Sequence, residues 1–257
     1  MKGKRFRDAY EQVDRDRRYQ PAEAVALLKR TASAKFDETV ELHVRLGLNV
    51  RHAEQQLRGT LPLPHGLGKD VAVAVFAKGD AARAAEQAGA DFVGADDLAE
   101  RVEGGWAEFD VAIATPDMMP AVGKLGRILG PQGKMPNPKV GTVTDDVAKA
   151  VGESKAGKVE YRTDRQAIVH LTIGKASFEE RNLLENYAAV IEEIVRARPA
   201  AAKGRYLLSI TLTTTMGPGI RLDPSRTREA EIVAGLGSDG AESSAGEPTE
   251  AEEAAPA

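Results

Sequence analysis

The sequence predicts a discontinuous α+β domain, an antiparallel sheet with helices assembled from both chain ends, with an α/β domain inserted into it. Three observations carry this reading. Strands with one apolar and one polar face occur at 39–46, 159–173 and 206–215. Between the first two lies a β-α-β-α-β-α run whose strands are apolar on both faces, the pattern of a Rossmann-like parallel sheet covered by helices. Glycine- and proline-rich segments separate the two patterns, as expected where a chain passes between units. The split domain is expected at 1–67 and 159–228, the inserted domain at 68–158, and a disordered acidic tail at 229–257.

The elements follow in order. Residues 1–20 alternate basic and acidic groups and read as a solvated helix or arm, without the apolar stretch of a signal peptide. Pro21 sits at a first helical position, and Ala22, Val25, Leu27 and Leu28 form a stripe that ends before Thr31–Ser33. In 39–46, Val40, Leu42, Val44 and Leu46 face one way and Thr39, Glu41, His43 and Arg45 the other. TLPLPHGLGK, residues 60–69, reads as the crossing into the inserted domain. VAVAVFAKG is a buried parallel strand. A helix over Asp80–Ala88, a strand at DFVG, a helix over Asp96–Val102, a strand at FDVAIAT and helix from Asp117 onward complete the insert, with a further helix near Asp145–Glu153.

GKVEYRTDRQAIVHLTIG reads as a hairpin turning at 163–166. Ser177 and Glu180 have capping-box spacing, ahead of a helix with Leu183, Leu184, Tyr187, Ile191, Ile194 and Val195 on one face. In the last strand Leu208, Ile210 and Leu212 alternate with Ser209, Thr211, Thr213 and Thr215, before a Met-Gly-Pro-Gly turn.

Composition narrows the function. The 257 residues are 42% hydrophobic and 29% charged, without cysteine, which excludes disulfides and thiolate metal sites. The net charge of −4 is set by the tail. Removing its six acidic residues beyond Ala234 from the 39 leaves the 35 basic residues two in excess. A nucleic-acid reading must therefore rest on local patches. Apolar runs such as VAVAVF are too short to span a bilayer.

Enzyme signatures are missing. No G-x-S-x-G string occurs, and the four histidines show neither metal-ligand spacing nor a triad signature, so no cofactor or metal is expected. The nearest phosphate-loop string, ILGPQGKM, has Ile128 where the first glycine belongs and Met135 where the hydroxyl belongs. Gly66 and Gly68 precede a strand instead of following one, unlike a dinucleotide fingerprint.

Two features suit a polyanion. The 122–142 loop carries Lys124, Arg127, Lys134 and Lys139, stiffened by prolines, with no acidic residue from 118 to 144. It reads either as a phosphate contact or as a structural loop with solvated cations. If the three one-sided strands are neighbours, Thr39, Glu41, His43, Arg45, Arg162, His170, Thr172, Ser209, Thr211, Thr213 and Thr215 form one polar band. It is either a plain solvated face or a surface for a folded RNA, read through 2′-OH and phosphate, since the aromatics that stack single-stranded bases are absent. A protein-interaction adaptor using the acidic tail is the remaining alternative.

Several strings together resemble one family, the bacterial type of large-subunit ribosomal protein L-one. They are KFDETVELHVRLG, RGTLPLPHGLGK, AGADFVG, GKLGRILGPQGKMPNPK, VEYRTDR and TTTMGPGI, in the family's order, covering roughly residues 1–224. The resemblance implies the split architecture and a non-enzymatic protein of the cytoplasmic ribosome. Its implied partners are large-subunit ribosomal RNA at the mobile side stalk, exit-site tRNA whose release the stalk assists, and its own operon mRNA, whose translation it represses. It also implies no membrane and a monomeric free protein. Matched residue by residue, the family's RNA contacts fall on Lys35, Phe36, Thr39, Asp164, Thr215, Met216 and Gly217. The polar band adds Glu41, Arg45, His170, Ser209, Thr211 and Thr213 as candidates. Gln132 stands where the family usually has arginine, Lys134 where an apolar residue is common, and Ala167 where glycine is usual.

Overall fold

The computed structural model describes residues 3–225, so the acidic tail expected at 229–257 lies outside the described residues. Mixed α/β content is arranged around a four-stranded antiparallel sheet, a two-stranded antiparallel ladder and a three-stranded parallel sheet. In the amino-terminal segment α1 spans Lys4–Glu11, and α2 spans Pro21–Thr31 with Pro21 in its first turn. A prolyl residue there forfeits only an N–H that has no helical partner.

The antiparallel sheet contains β1 (Thr39–Leu46), β7 (Ile168–Lys175), β8 (Leu207–Thr214) and β9 (Ile220–Leu222), in the order β7-β1-β8-β9. β1 is central because Val40, Leu42, Val44 and Leu46 are all buried. Their face packs on α2 and on α8 (Glu180–Arg196), which contributes Leu183, Leu184, Tyr187, Val190, Ile191 and Ile194. Each such side chain removed from water contributes about 1.5–3 kcal/mol.

The parallel sheet has the order β4-β3-β5, from β3 (Val73–Phe76), β4 (Phe92–Gly94) and β5 (Val111–Ala114). Every residue of β3 is buried, because the strand's period of two feeds two cores. Ala74 and Phe76 join Leu98 and Val102 of α4 (Asp96–Glu103), Val122 of α5 (Met119–Lys124) and Leu129 of α6 (Gly126–Leu129). Val73 and Val75 point the other way, to Ala85 of α3 (Asp80–Gln87) and to Val147 and Val151 of α7 (Val147–Lys155).

Four expectations change. The turn at 163–166 forms, but its arms do not make a hairpin ladder. β6 (Lys158–Arg162) has no ladder to β7, only an isolated bridge beyond its end, Thr163–Val169, and pairs instead with β2 (Arg58–Pro62). Arg162 therefore lies outside the sheet that carries the polar band, and residues 60–62 belong to β2. A proline is tolerated at that strand end because it donates to no ladder.

The second change is in β8. Leu207 is buried and Leu208 is 39% exposed, since the ladder to β1 shifts register between Arg45 and Leu46. The bulge restores the alternation from Ser209 onward. Third, Val195 is 42% exposed, so the apolar stripe of α8 ends at Ile194. Fourth, no capping box forms at Ser177. Its N–H and hydroxyl both donate to Asp37, at 3.0 and 2.7 Å, and no side chain caps α8.

Past the end of the β2–β6 ladder, Gly66 and Gly157 bring two chain segments together. Gly66 and Gly157 both have positive φ, and a β-carbon on Gly157 would stand 2.7 Å from the Gly66 α-carbon. Only glycine permits that approach. Asn186, fully buried on α8, ties residues 65–66 to β7. Its Oδ1 accepts from His65 N–H, and its Nδ2 donates to the carbonyls of Gly66 and Ile173.

Ala167 closes the β6–β7 turn with φ +59, the one non-glycine residue with positive φ among the described residues. A β-carbon in the left-handed region costs roughly 1–2 kcal/mol, partly offset in the unfolded chain. Ala167→Gly is expected to raise stability by about 0.5–1 kcal/mol, read as a higher urea midpoint at unchanged slope.

Candidate RNA-binding surface

The polar faces of three neighbouring strands form rows across the sheet. Thr172, Glu41 and Thr213 make one row, from β7 through β1 to β8. His170, His43 and Thr211 make the next, extended by Arg221 of β9. Arg45 and Ser209 make the third. The registers thus bring together Glu41, Arg45, His170, Ser209, Thr211 and Thr213.

The central row is internally linked. His43 and His170 face each other with Nδ1 atoms 2.9 Å apart, so one ring donates and the other accepts. Burial, and then the neighbouring His170, push the His43 imidazole below its ordinary value, against the pull of Glu41. His170 Nε2 also lies 3.4 Å from Asp164 Oδ2. The other Asp164 oxygen accepts the N–H groups of Gln166 and Ile168 at 2.8 and 2.7 Å. Burial pushes the Asp164 carboxyl up, but these N–H groups and His170 outweigh it and hold it low. Asp164 is committed to shaping the turn.

At the upper edge of the sheet two loops meet. Lys35 and Phe36 lie on the loop between α2 and β1, and Met216 and Gly217 on the turn between β8 and β9. Phe36 is 55% exposed and Met216 61%, and both line one hollow with Lys35. Large apolar side chains left bare together mark an interaction surface. Thr215 is exposed, and its hydroxyl both accepts from Thr39 N–H (3.1 Å) and donates to the Thr39 carbonyl (3.3 Å). Thr39 Oγ1 in turn accepts from Lys175 Nζ at 2.9 Å.

The residue that joins the two loops is Glu38, which the sequence reading did not single out. It is 2% exposed, and its carboxylate accepts N–H bonds from Ala34 and Met216, both at 2.9 Å. Burial pushes its pKa up, but the backbone donors outweigh burial and hold the carboxyl below its ordinary value. Gly217 does not have a positive φ. Its need for glycine is local, since a β-carbon would meet Thr214 Oγ1 at 2.4 Å.

The cationic loop is less available than its sequence suggests. Lys134 turns inward, donating to the Ala107 carbonyl at 2.8 Å with its ammonium 5.3 Å from the Phe109 ring centre. Lys124, Arg127 and Lys139 remain exposed, on α5, α6 and the 3₁₀ turn Pro138–Val140. None of the three joins the polar rows. No helix of the described residues is long and apolar enough to cross a membrane.

Comparison with known proteins supplies the class, that of the ribosomal proteins. A family model described as "Ribosomal protein L1p/L10e family" matches residues 28–218, from the end of α2 to the turn after β8. A curated relative described as "Large ribosomal subunit protein uL1", from Thermobifida fusca (strain YX), is 59% identical over 233 residues. Those residues are 91% of this chain and 99% of that relative. The chain belongs to the ribosomal protein L1p/L10e family, whose members are structural proteins, not enzymes.

Proposed function

We propose that the chain is a structural constituent of the large ribosomal subunit that binds large-subunit ribosomal RNA at the mobile side stalk. Through the stalk it assists release of deacylated tRNA from the exit site, and it represses translation of its own operon mRNA by binding a similar RNA fold. It acts in the cytoplasm and is monomeric when free. The split domain, 1–67 with 159–228, is the binding domain, and 68–158 is an inserted unit.

The observation that carries this reading is the continuity of the surface. Hydroxyl, imidazole and carboxylate rows run across β7, β1 and β8 and end at exposed Phe36 and Met216. Polar groups on a pleated sheet suit 2′-OH and phosphate, and the two apolar side chains suit a base or ribose face. The contact residues on this reading are Lys35, Phe36, Thr39, Glu41, Arg45, Asp164, His170, Ser209, Thr211, Thr213, Thr215, Met216 and Gly217.

The test is a titration of the purified protein against a stalk RNA fragment, its own leader RNA and an unrelated hairpin of equal length. Preference for the first two is expected, with log affinity falling as log salt rises. Thr215→Val removes both hydroxyl bonds to Thr39 and is expected to weaken stalk binding by about 1–3 kcal/mol. Equal affinity for the unrelated hairpin would overturn the proposal.

A further inference from the structure

A second surface begins where the polar rows end. Beyond Asp164 an open trough runs past Arg51, Arg165 and Arg162, and continues past Gln56 and Thr163 to Asn137 and Lys139. It is walled by the 50–56 segment, the β6–β7 turn and the Pro138–Val140 turn. These elements come from far apart in the chain, and of the trough's cations Arg51, Arg162, Arg165 and Lys139, sequence reading placed only Arg162 and Lys139 as candidates, on different surfaces.

The charges of this trough are unspent. Arg51, Arg162, Arg165 and Lys139 are exposed, and no side-chain hydrogen bond or ion pair holds any of the four among the described residues. Their neighbours differ. Arg58 is neutralised by Glu160 at 2.8 Å, and Lys158 by Glu153 at 2.8 Å. The carboxylate that lines the trough, Asp164, is engaged by two backbone N–H groups and His170. Like charges gathered along one trough without acidic partners create a positive local potential that favours a polyanion.

The walls are held firmly. Asn137 Oδ1 accepts Lys139 N–H at 2.8 Å, Thr142 Oγ1 accepts Asn137 N–H at 2.8 Å, and Thr163 N–H donates to the Leu57 carbonyl at 3.0 Å. No aromatic ring lines either half. The trough offers nothing on which a base would stack, and its chemistry is charge along a track.

We propose that this trough is a second phosphate-binding groove, taking the sugar–phosphate backbone of the same folded RNA as it leaves the polar sheet face at Asp164 and His170. The inference rests on the RNA-binding reading above and extends it to Arg51, Arg162, Arg165 and Lys139. These contacts add affinity without sequence preference, since phosphates are alike in every RNA.

The test uses the full chain and two double variants, Arg51→Gln with Arg165→Gln and Lys139→Gln with Arg162→Gln. Each is titrated against the stalk fragment and the unrelated hairpin over a salt series. For each cation lost, the slope of log affinity against log salt is expected to shrink in magnitude by about 1. Both RNAs should weaken by the same factor, leaving the preference between them intact, and Arg→Lys variants should retain the slope. Unchanged slopes in variants that unfold at the parent midpoint overturn the groove. Thr215→Val separates the two readings. If it lowers stalk preference while the trough variants leave the slope alone, only the groove fails. If the parent itself binds the unrelated hairpin as tightly as the stalk fragment, the proposed function fails, and the groove with it.

Discussion

Glu38→Ala is expected to lower stability by about 3–5 kcal/mol, because it strands two N–H groups that now donate to a carboxylate. The bonds at stake run from Ala34 and Met216, each at 2.9 Å, to a side chain that is 2% exposed. Glu38→Gln keeps one oxygen and turns an NH2 group toward the second donor, so it should recover no more than half the loss. Urea unfolding measures both. Stability within about 1 kcal/mol of the parent in the alanine variant would contradict the assignment. Stalk RNA affinity should fall as well, since the loops freed are those that hold Phe36 and Met216.

The same carboxylate fixes a pH dependence. Its folded pKa lies below the ordinary 4.5, so on acidification the unfolded chain takes up this proton first. The stabilisation is complete above the ordinary carboxylate range and is lost as pH falls through the folded value. The parent should therefore lose stability in that acid window, and Glu38→Ala, lacking the group, should show a shallower loss.

Gly217→Val is expected to weaken stalk RNA binding by about 1–3 kcal/mol, roughly 5–150-fold. Its β-carbon would lie 2.4 Å from Thr214 Oγ1, and Thr214 is buried, so the turn must move instead of the obstacle. Movement there carries Met216 with it and disturbs the Met216 N–H bond to Glu38. The clash is intramolecular, which allows a discriminating control. Gly217→Ala combined with Thr214→Ala removes the obstacle and should regain the stability lost in Gly217→Ala alone. Recovery of stability without recovery of binding would mean that RNA itself needs the bare backbone at this position. Normal binding by both single variants at 217 would remove Gly217 from the site.

Much of this was legible where a side-chain pattern reports directly on burial. The alternation of 39–46 matches β1, and the apolar run of 71–77 contains β3. The polar rows follow from those phases once the strands adjoin. Legibility failed where the deciding partner was backbone or distant. β2 ends in Pro62 and has Gly59 inside it, so it reads as a linker until its pairing with β6 is seen. β9 has three residues, too few to show a period. Leu208 is exposed because of a register shift that no local composition announces.

The site divides in the same way. His43 and His170 stand at matching phases on strands that carry a visible pattern, so their row could be anticipated. Glu38 could not, because a carboxylate beside an alternating strand usually faces water, and its two donors lie 4 and 178 residues away. Lys134 misled for the converse reason. Its charge suggested phosphate, yet a carbonyl on another loop takes its ammonium.

The contact between Gly66 and Gly157 bears on how the gene product tolerates surgery. A β-carbon on Gly157 would sit 2.7 Å from the Gly66 α-carbon, so the two α-carbons lie within about 4 Å, near the 3.8 Å of peptide-linked neighbours. A direct splice at this seam would have only that short gap to bridge, omitting the whole parallel-sheet module. The polar rows, Glu38 and both loops it ties lie on the retained side, so a miniaturised chain would keep the complete set of groups assigned to the main RNA surface while discarding Lys139 from the trough.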